Sequence, residues 1–158
     1  MSASLSCIEI IDFEPALAAD FERLNREWLE ALFTVEPIDA RILADPQRYI
    51  LDPGGHILFA RSTSEIVGTA ALKHAGDGRY ELTKMAVTPA ARGLGAGRQL
   101  AEAVVARFRE LHGSCLYLES HSSLAPALAL YESLGFRHRP RTTPSEYARA
   151  DVYMVYEA

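Results

Sequence analysis

Apolar and polar positions alternate from Ser4 to Ile11, which is the pattern of a largely buried strand. Asp12 or Glu14, with Pro15, then marks a helix start. Leu17, Phe21, Leu24, Trp28 and Leu32 follow at spacings of four, three, four and four, an apolar stripe down one helix face. A shorter helix is expected after Pro37, carrying Ile38, Ile42 and Leu43, and Asp52-Pro53-Gly54-Gly55 reads as a turn. Strands are expected over His56 to Arg61, Ile66 to His74 and Tyr80 to Val87, the last two joined by a tight hairpin at Gly76-Asp77-Gly78. Leu100, Val104, Phe108 and Leu111 share one face of a helix from about Leu94 to Leu111, ended by Gly113. Cys115 to Glu119 reads as a strand and Leu124 to Leu134 as a helix, with Gly135 where a left-handed cap favours glycine. Asp151 to Tyr156 alternates as a last strand.

That order is a strand, two helices, three strands, a helix, a strand, a helix and one or two strands. It predicts a mixed α/β fold with a central hairpin run and a strand–helix–strand crossover. No repeat, low-complexity tract or linker interrupts it, so residues 1–158 are expected to form a single domain. At 49% hydrophobic and 23% charged residues the chain has a globular composition, and its 158 residues suffice for a real core. With 16 basic and 21 acidic residues it is mildly acidic, which argues against a nucleic-acid partner.

No run of about 18 apolar residues suggests a membrane span. The opening MSASLSCIEI lacks a basic and then apolar leader pattern, so secretion is not expected. Cys7 and Cys115 are the only cysteines and the histidines are scattered. Neither a disulfide framework nor a metal site is expected, and a reducing cytoplasm is the default.

The most informative segment runs from Met85 to Val105. A strand ends at Val87, Pro89 stops its ladder, and Arg92-Gly93-Leu94-Gly95-Ala96-Gly97-Arg98 leads into a helix. Glycines let a ligand approach the backbone, and the first helical turn offers unpaired N–H groups at a positive dipole end. Such a loop suits a phosphate or pyrophosphate. A dinucleotide fingerprint would need glycine where Arg98 stands, and a P-loop would need a lysine that is missing.

The segment does fit the pattern Q/R-x-x-G-x-G/A through Arg92, Gly95 and Gly97, and in this it resembles the GNAT family of N-acetyltransferases. Leu116 to Arg137, LYLESHSSLAPALALYESLGFR, is similar to that family's second block, a strand and then a helix ending L-Y-x-x-x-G-F. Leu130, Tyr131, Gly135 and Phe136 fill those slots. The resemblance covers about Ile57 to Phe136. It implies a twisted, mostly antiparallel sheet of about six or seven strands with helices on both faces, opening into a cleft for acetyl-CoA. It implies that Gly93 to Arg98, with Arg92, hold the pyrophosphate, and that the backbone of Met85, Ala86 and Val87 pairs with the pantetheine like an added strand.

Acetyl transfer to an amine needs a base for the ammonium, a fixed donor for the developing oxyanion and a proton for the leaving thiolate. The resemblance puts the Tyr131 hydroxyl beside the coenzyme sulfur as the acid. Some relatives place a glutamate twelve residues before that tyrosine, a spacing that Glu119 keeps. Glu119 is therefore the leading base and Glu81, on the preceding strand, its rival, with a water relay open to either. His121, in a polar loop, is a further candidate. The Val87 N–H is the expected oxyanion donor. The expected reaction is direct transfer, in a ternary complex, to a primary amine of a small molecule or a protein. A non-catalytic acyl-CoA sensor, or an enzyme using a longer acyl-CoA, is the alternative.

Many relatives carry asparagine where this chain has Leu124, so Ser122 or Ser123 is expected to supply the lost hydrogen bond. The basic run Arg137 to Arg141 suits the coenzyme's 3′-phosphate, an acidic acceptor or plain solvent. Arg149 could anchor an acceptor carboxylate, whereas Glu27, Glu30, Glu36 and Asp39 could attract a polyamine or amino sugar. Relatives often dimerise, and exposed Tyr153 and Tyr156 on the last strand would suit such an interface.

Overall fold

The computed structural model describes residues 7–157. Strand β1 (Ile8–Asp12) leads through a short turn at Pro15–Leu17 into helix α1 (Ala18–Leu32) and then α2 (Pro37–Ala44). The strands β2 (His56–Ser62), β3 (Glu65–Gly76) and β4 (Arg79–Val87) follow, then α3 (Ala96–Glu110), β5 (Cys115–Ser120), α4 (Ala125–Leu134), β6 (Phe136–His138) and β7 (Val152–Tyr156). All seven strands form one sheet in the order β1-β2-β3-β4-β5-β7-β6. Only β4 and β5 run parallel, because the connection between them is the helical crossover α3.

Strand alternation sends side chains to two cores. On one face Leu58, Leu72, Leu82, Leu116, Leu118 and Met154 pack against Leu100, Val104 and Phe108 of α3 and against Tyr131 of α4. On the other, Ile57, Phe59 and Ala71 pack against Phe21 and Leu29 of α1, Ile42 and Leu43 of α2, and Ile50. Each fully buried Leu, Ile or Phe contributes about 1.5–3 kcal/mol of apolar transfer.

One irregularity shapes the site. Thr69 pairs with Ala86 but Ala71 pairs with Thr83, so two residues of β4, Lys84 and Met85, stand opposite one of β3. Lys84 takes φ +53, a left-handed conformation, within this bulge. Pairing between β4 and β5 stops at Leu82 and Leu118. Beyond it the two strands separate, and the β5-facing edge of residues 83–87 has no strand partner.

Several expectations shift. The first strand begins at Ile8, and the expected Ser4 to Ser6 portion lies outside the described residues. Helix α3 starts at Ala96 rather than Leu94, because Gly95 at φ +86 forms its N-cap. The α1 stripe is corrected at its end: Leu29 is buried, whereas Leu32 is 61% exposed. A wide turn at Gln47–Leu51, closed by Asp52 N–H to the Gln47 carbonyl at 2.8 Å, was not expected from the pattern. β7 lies inside the sheet between β5 and β6, and its tyrosines are half-buried. Tyr153 stacks on Tyr117 at 5.7 Å and Tyr156 on Phe136 at 5.5 Å, so neither is the free aromatic surface that was expected.

Candidate active site

The separation of β4 and β5 opens a cleft of about 680 Å³, within the range of small-molecule and cofactor sites. Its walls include Met85, Ala86 and Val87 on one side, Glu119 and Ser120 on the other, and Ala127, Leu130 and Tyr131 of α4. Arg92, Gly93, Gly95, Gly97 and Arg98 line one end. Leu94 and Ala96 do not line it: Leu94 is exposed and Ala96 packs into the core.

The glycine loop supplies the polar end of this cleft. Gly93 and Gly95 take φ +89 and +86, which bulkier residues adopt only under strain. A Cβ at Gly93 would meet nothing within 4 Å, so the loop borders open space. No side chain caps α3. The N–H groups of its first turn, Ala96 to Arg98, therefore have no intrahelical acceptor. Uncapped amides and a positive dipole end fit a pyrophosphate. Arg98 is held by Ser133 at 2.9 Å, and Arg92 extends into solvent.

Tyr131 is buried against Phe136 and points its hydroxyl at the Met85 sulfur, 4.0 Å away. Burial pushes its pKa up to about 12. The phenol therefore stays protonated at neutral pH and can donate. Glu81 is also buried, at 6% exposure. Burial raises its pKa to about 7, against the opposing pull of Lys73 and Lys84 and with the help of Glu119 and Glu146. Glu119 lies on the neighbouring strand, facing the same side of the sheet. It pairs with Arg141 and accepts from the Ser145 hydroxyl at 2.8 Å. His121 accepts the Ser123 N–H at Nδ1 (3.0 Å), so its proton sits on Nε2.

Residues 19–136 match the model of the Acetyltransferase (GNAT) family. The chain belongs to the GNAT family. It is 32% identical, over 87% of its length and 84% of the relative's, to an uncharacterized N-acetyltransferase of Schizosaccharomyces pombe. Its fold is similar to a GNAT acetyltransferase of Staphylococcus aureus Mu50, with a TM-score of 0.85 and 21% identity over 95% of this chain and 98% of the other. It also resembles a Salmonella typhimurium structure described as a putative acetyltransferase with its cofactor acetyl-CoA, with a TM-score of 0.73 and 19% identity over 95% and 93% of the two chains. The mixed α/β fold and the acetyltransferase class expected from the motifs are thus both found.

A charge network that the sequence did not reveal borders the cleft of this GNAT enzyme through Lys84, Tyr147 and Arg149. Lys84, from the bulge, donates to Asp39 Oδ1 at 2.9 Å and to the Tyr147 hydroxyl at 3.1 Å. Arg149 clasps Asp39 with two bonds of 2.7 and 2.9 Å. Burial draws the Asp39 carboxyl upward, but the bonds from Arg149 and Lys84 outweigh it and hold its pKa down at about 2. Glu36 accepts the Ala148 N–H at 2.8 Å and the Arg149 N–H at 3.2 Å. The start of α2 is thereby stapled to the segment before β7.

This network corrects two expectations, and other bonds narrow two more. Arg149 is occupied by Asp39 and Glu36 and is not a free anchor for an acceptor carboxylate. Glu36 and Asp39 are likewise neutralised and do not form an acidic lure, although Glu27 and Glu30 remain exposed. Ser122 gives its hydroxyl and N–H to Asp151 at 2.8 Å, so of the two serines only Ser123 lines the cleft. The basic run divides: Arg139 pairs with Glu157, His138 meets Glu132 at 3.2 Å, and Arg141 turns inward to Glu119. A lysine within the apolar strand LTKMAV was the one local sign of Lys84's role.

Proposed function

We propose that the protein transfers the acetyl group of acetyl-CoA to a primary amine, directly and in one active site, and that the chain works as one catalytic domain. The observation that carries this reading is the alignment of three features along one cleft: the uncapped α3 terminus, the open edge of β4, and the Tyr131 hydroxyl over Met85. The first suits the pyrophosphate, the second an extended pantetheine and the third a thiolate leaving group. Arg92, Gly93, Gly95, Gly97 and Arg98 would hold the phosphates, with the backbone of Leu94 and Ala96 completing the loop.

The amine nitrogen attacks the thioester carbonyl carbon, a C–N bond forms and the C–S bond breaks. The Val87 N–H meets the charge that develops on the carbonyl oxygen. The amine's proton passes to a carboxylate, and the departing thiolate takes the Tyr131 proton. Two observations favour Glu81 over Glu119 as that carboxylate. Glu81 has a pKa near 7 and makes no hydrogen bond or ion pair among the described residues, whereas Glu119 is committed to Arg141 and Ser145. Glu119 then positions Arg141 and the loop that bears it. Cys7 and Cys115 are both free, which suits a reducing compartment such as the cytoplasm. No described helix is long and apolar enough to cross a membrane.

Calorimetric titration with acetyl-CoA, with ATP and NAD as controls, tests the donor. Thiol release in the presence of a panel of amines tests the transfer. Micromolar binding of acetyl-CoA alone, followed by amine-dependent thiol release, is the expected result. Binding without release from any amine would make the protein an acyl-CoA sensor, and faster release from longer thioesters would change the acyl group.

A further inference from the structure

Resting on that transferase reading, we propose that the acceptor is a small aminocarboxylate, whose amine meets Glu81 and whose carboxylate is held by Arg79. A second cavity of about 420 Å³ lies on the far side of Glu81 from the coenzyme loop. Glu81 and Glu119 line both cavities, so the two cavities meet at these carboxylates. An acceptor anchored in the second cavity would thus extend its amine past Glu81 into the first, where the thioester would lie.

The charges around this cavity sort themselves. Glu119 pairs with Arg141, and Lys73 reaches Glu146 at 3.9 Å. Two groups of opposite sign remain without an ion pair among the described residues: Glu81 on the floor and Arg79 at the rim. They lie two residues apart on β4, so their side chains leave the same face about 7 Å apart. Arg79 lies over the Tyr117 ring with its guanidinium carbon 4.9 Å from the centroid, beside the Cys115 thiol, and it lines the second cavity. An unpaired cation and an unpaired carboxylate at that spacing complement a zwitterion. A planar guanidinium fork suits a carboxylate in two-bond geometry.

Size points the same way. A cavity of this volume admits a small molecule.

Thiol release from acetyl-CoA is measured with glycine, β-alanine and γ-aminobutyrate, and with their carboxyl-free counterparts methylamine, ethylamine and propylamine. At least one aminocarboxylate is expected to exceed its counterpart in kcat/KM by about tenfold or more. In Arg79→Gln that advantage is expected to fall by about 10- to 100-fold, mainly through KM, the loss of a charge-assisted bond. Arg48→Gln, an exposed arginine stacked on Tyr49 elsewhere on the surface, is expected to keep it. A wild-type preference for carboxyl-free amines, or a ratio unmoved by Arg79→Gln, would overturn the zwitterion inference while leaving the transferase standing. Absence of thiol release with either series, despite acetyl-CoA binding, would overturn the transferase reading and this inference with it.

Discussion

Lys84 and Asp39 lie 45 residues apart in sequence, yet their side chains meet at 2.9 Å, at 3% and 0% exposure. The contact joins the β4 bulge, beside the cleft, to the start of α2. Lys84 also sits at φ +53, a strain that surrounding contacts must hold in place.

Breaking this pair should be costly, because the partner stays buried with its charge uncompensated. Asp39→Asn is expected to lower stability by about 3–5 kcal/mol, read from denaturant midpoints. The sign with pH follows from the depressed Asp39 pKa. Its stabilisation is present above the ordinary pKa of 3.8 and is lost as pH falls through about 2. The gap between wild type and Asp39→Asn should therefore narrow in strong acid; a gap constant with pH would remove the ion pair from the account.

Tyr131→Phe removes the proton donor but keeps the ring against Phe136. Turnover is expected to fall by about 10²–10⁴-fold while acetyl-CoA affinity changes little. Steady-state kinetics and calorimetry on the same preparation check both parts, and an unchanged kcat would take Tyr131 out of the reaction.

Glu81 must be ionised to accept a proton, so kcat/KM should rise with pH through about 7 and then level off. The groups that set this midpoint are the burial of Glu81 itself, Lys73 and Lys84 pulling down, and Glu119 and Glu146 pushing up. Stability runs the other way. A carboxyl raised on folding stabilises the protonated form, so wild type loses roughly 3 kcal/mol between the ordinary value of 4.5 and about 7. Glu81→Gln should lose that rate limb and become more stable than wild type above pH 7. Thermal melts across the pH range would show the effect, and parallel curves for the two proteins would contradict it.

Gly95 caps α3 at φ +86. Gly95→Ala should strain the loop by about 1–3 kcal/mol and weaken acetyl-CoA binding by about tenfold or more. Calorimetry measures this directly; full affinity in the variant would mean that the loop does not hold the phosphates.

The local rules of the chain carried the fold a long way. Alternation placed β2 to β5 and β7, and Pro15 and Pro37 marked the helix entries. Gly95 and Gly135 turned out to be the left-handed caps of α3 and α4, with φ +86 and +111. The glycine loop and the Tyr131 block were legible for the same reason: residues near in sequence must act together, and their spacing records it. Periodicity overreached at Leu32, since a helical stripe says which face is apolar but not how far the sheet extends beneath it.

What the sequence could not supply were the partners of charges. Arg149 read as a free cation and Asp39 as a free acid until folding brought them together across 110 residues. Arg141 lay in an apparently solvated run, yet it turns in to hold Glu119, and this leaves Glu81 as the unpaired carboxylate. A charge's state depends on the groups within a few ångströms and on the water excluded around it. The chain's spacing therefore determined most of its elements, its glycine loop and its family. Only the packing of the bulged β4 against α2 and the segment before β7 decided which charged groups cancel and which remain free for chemistry.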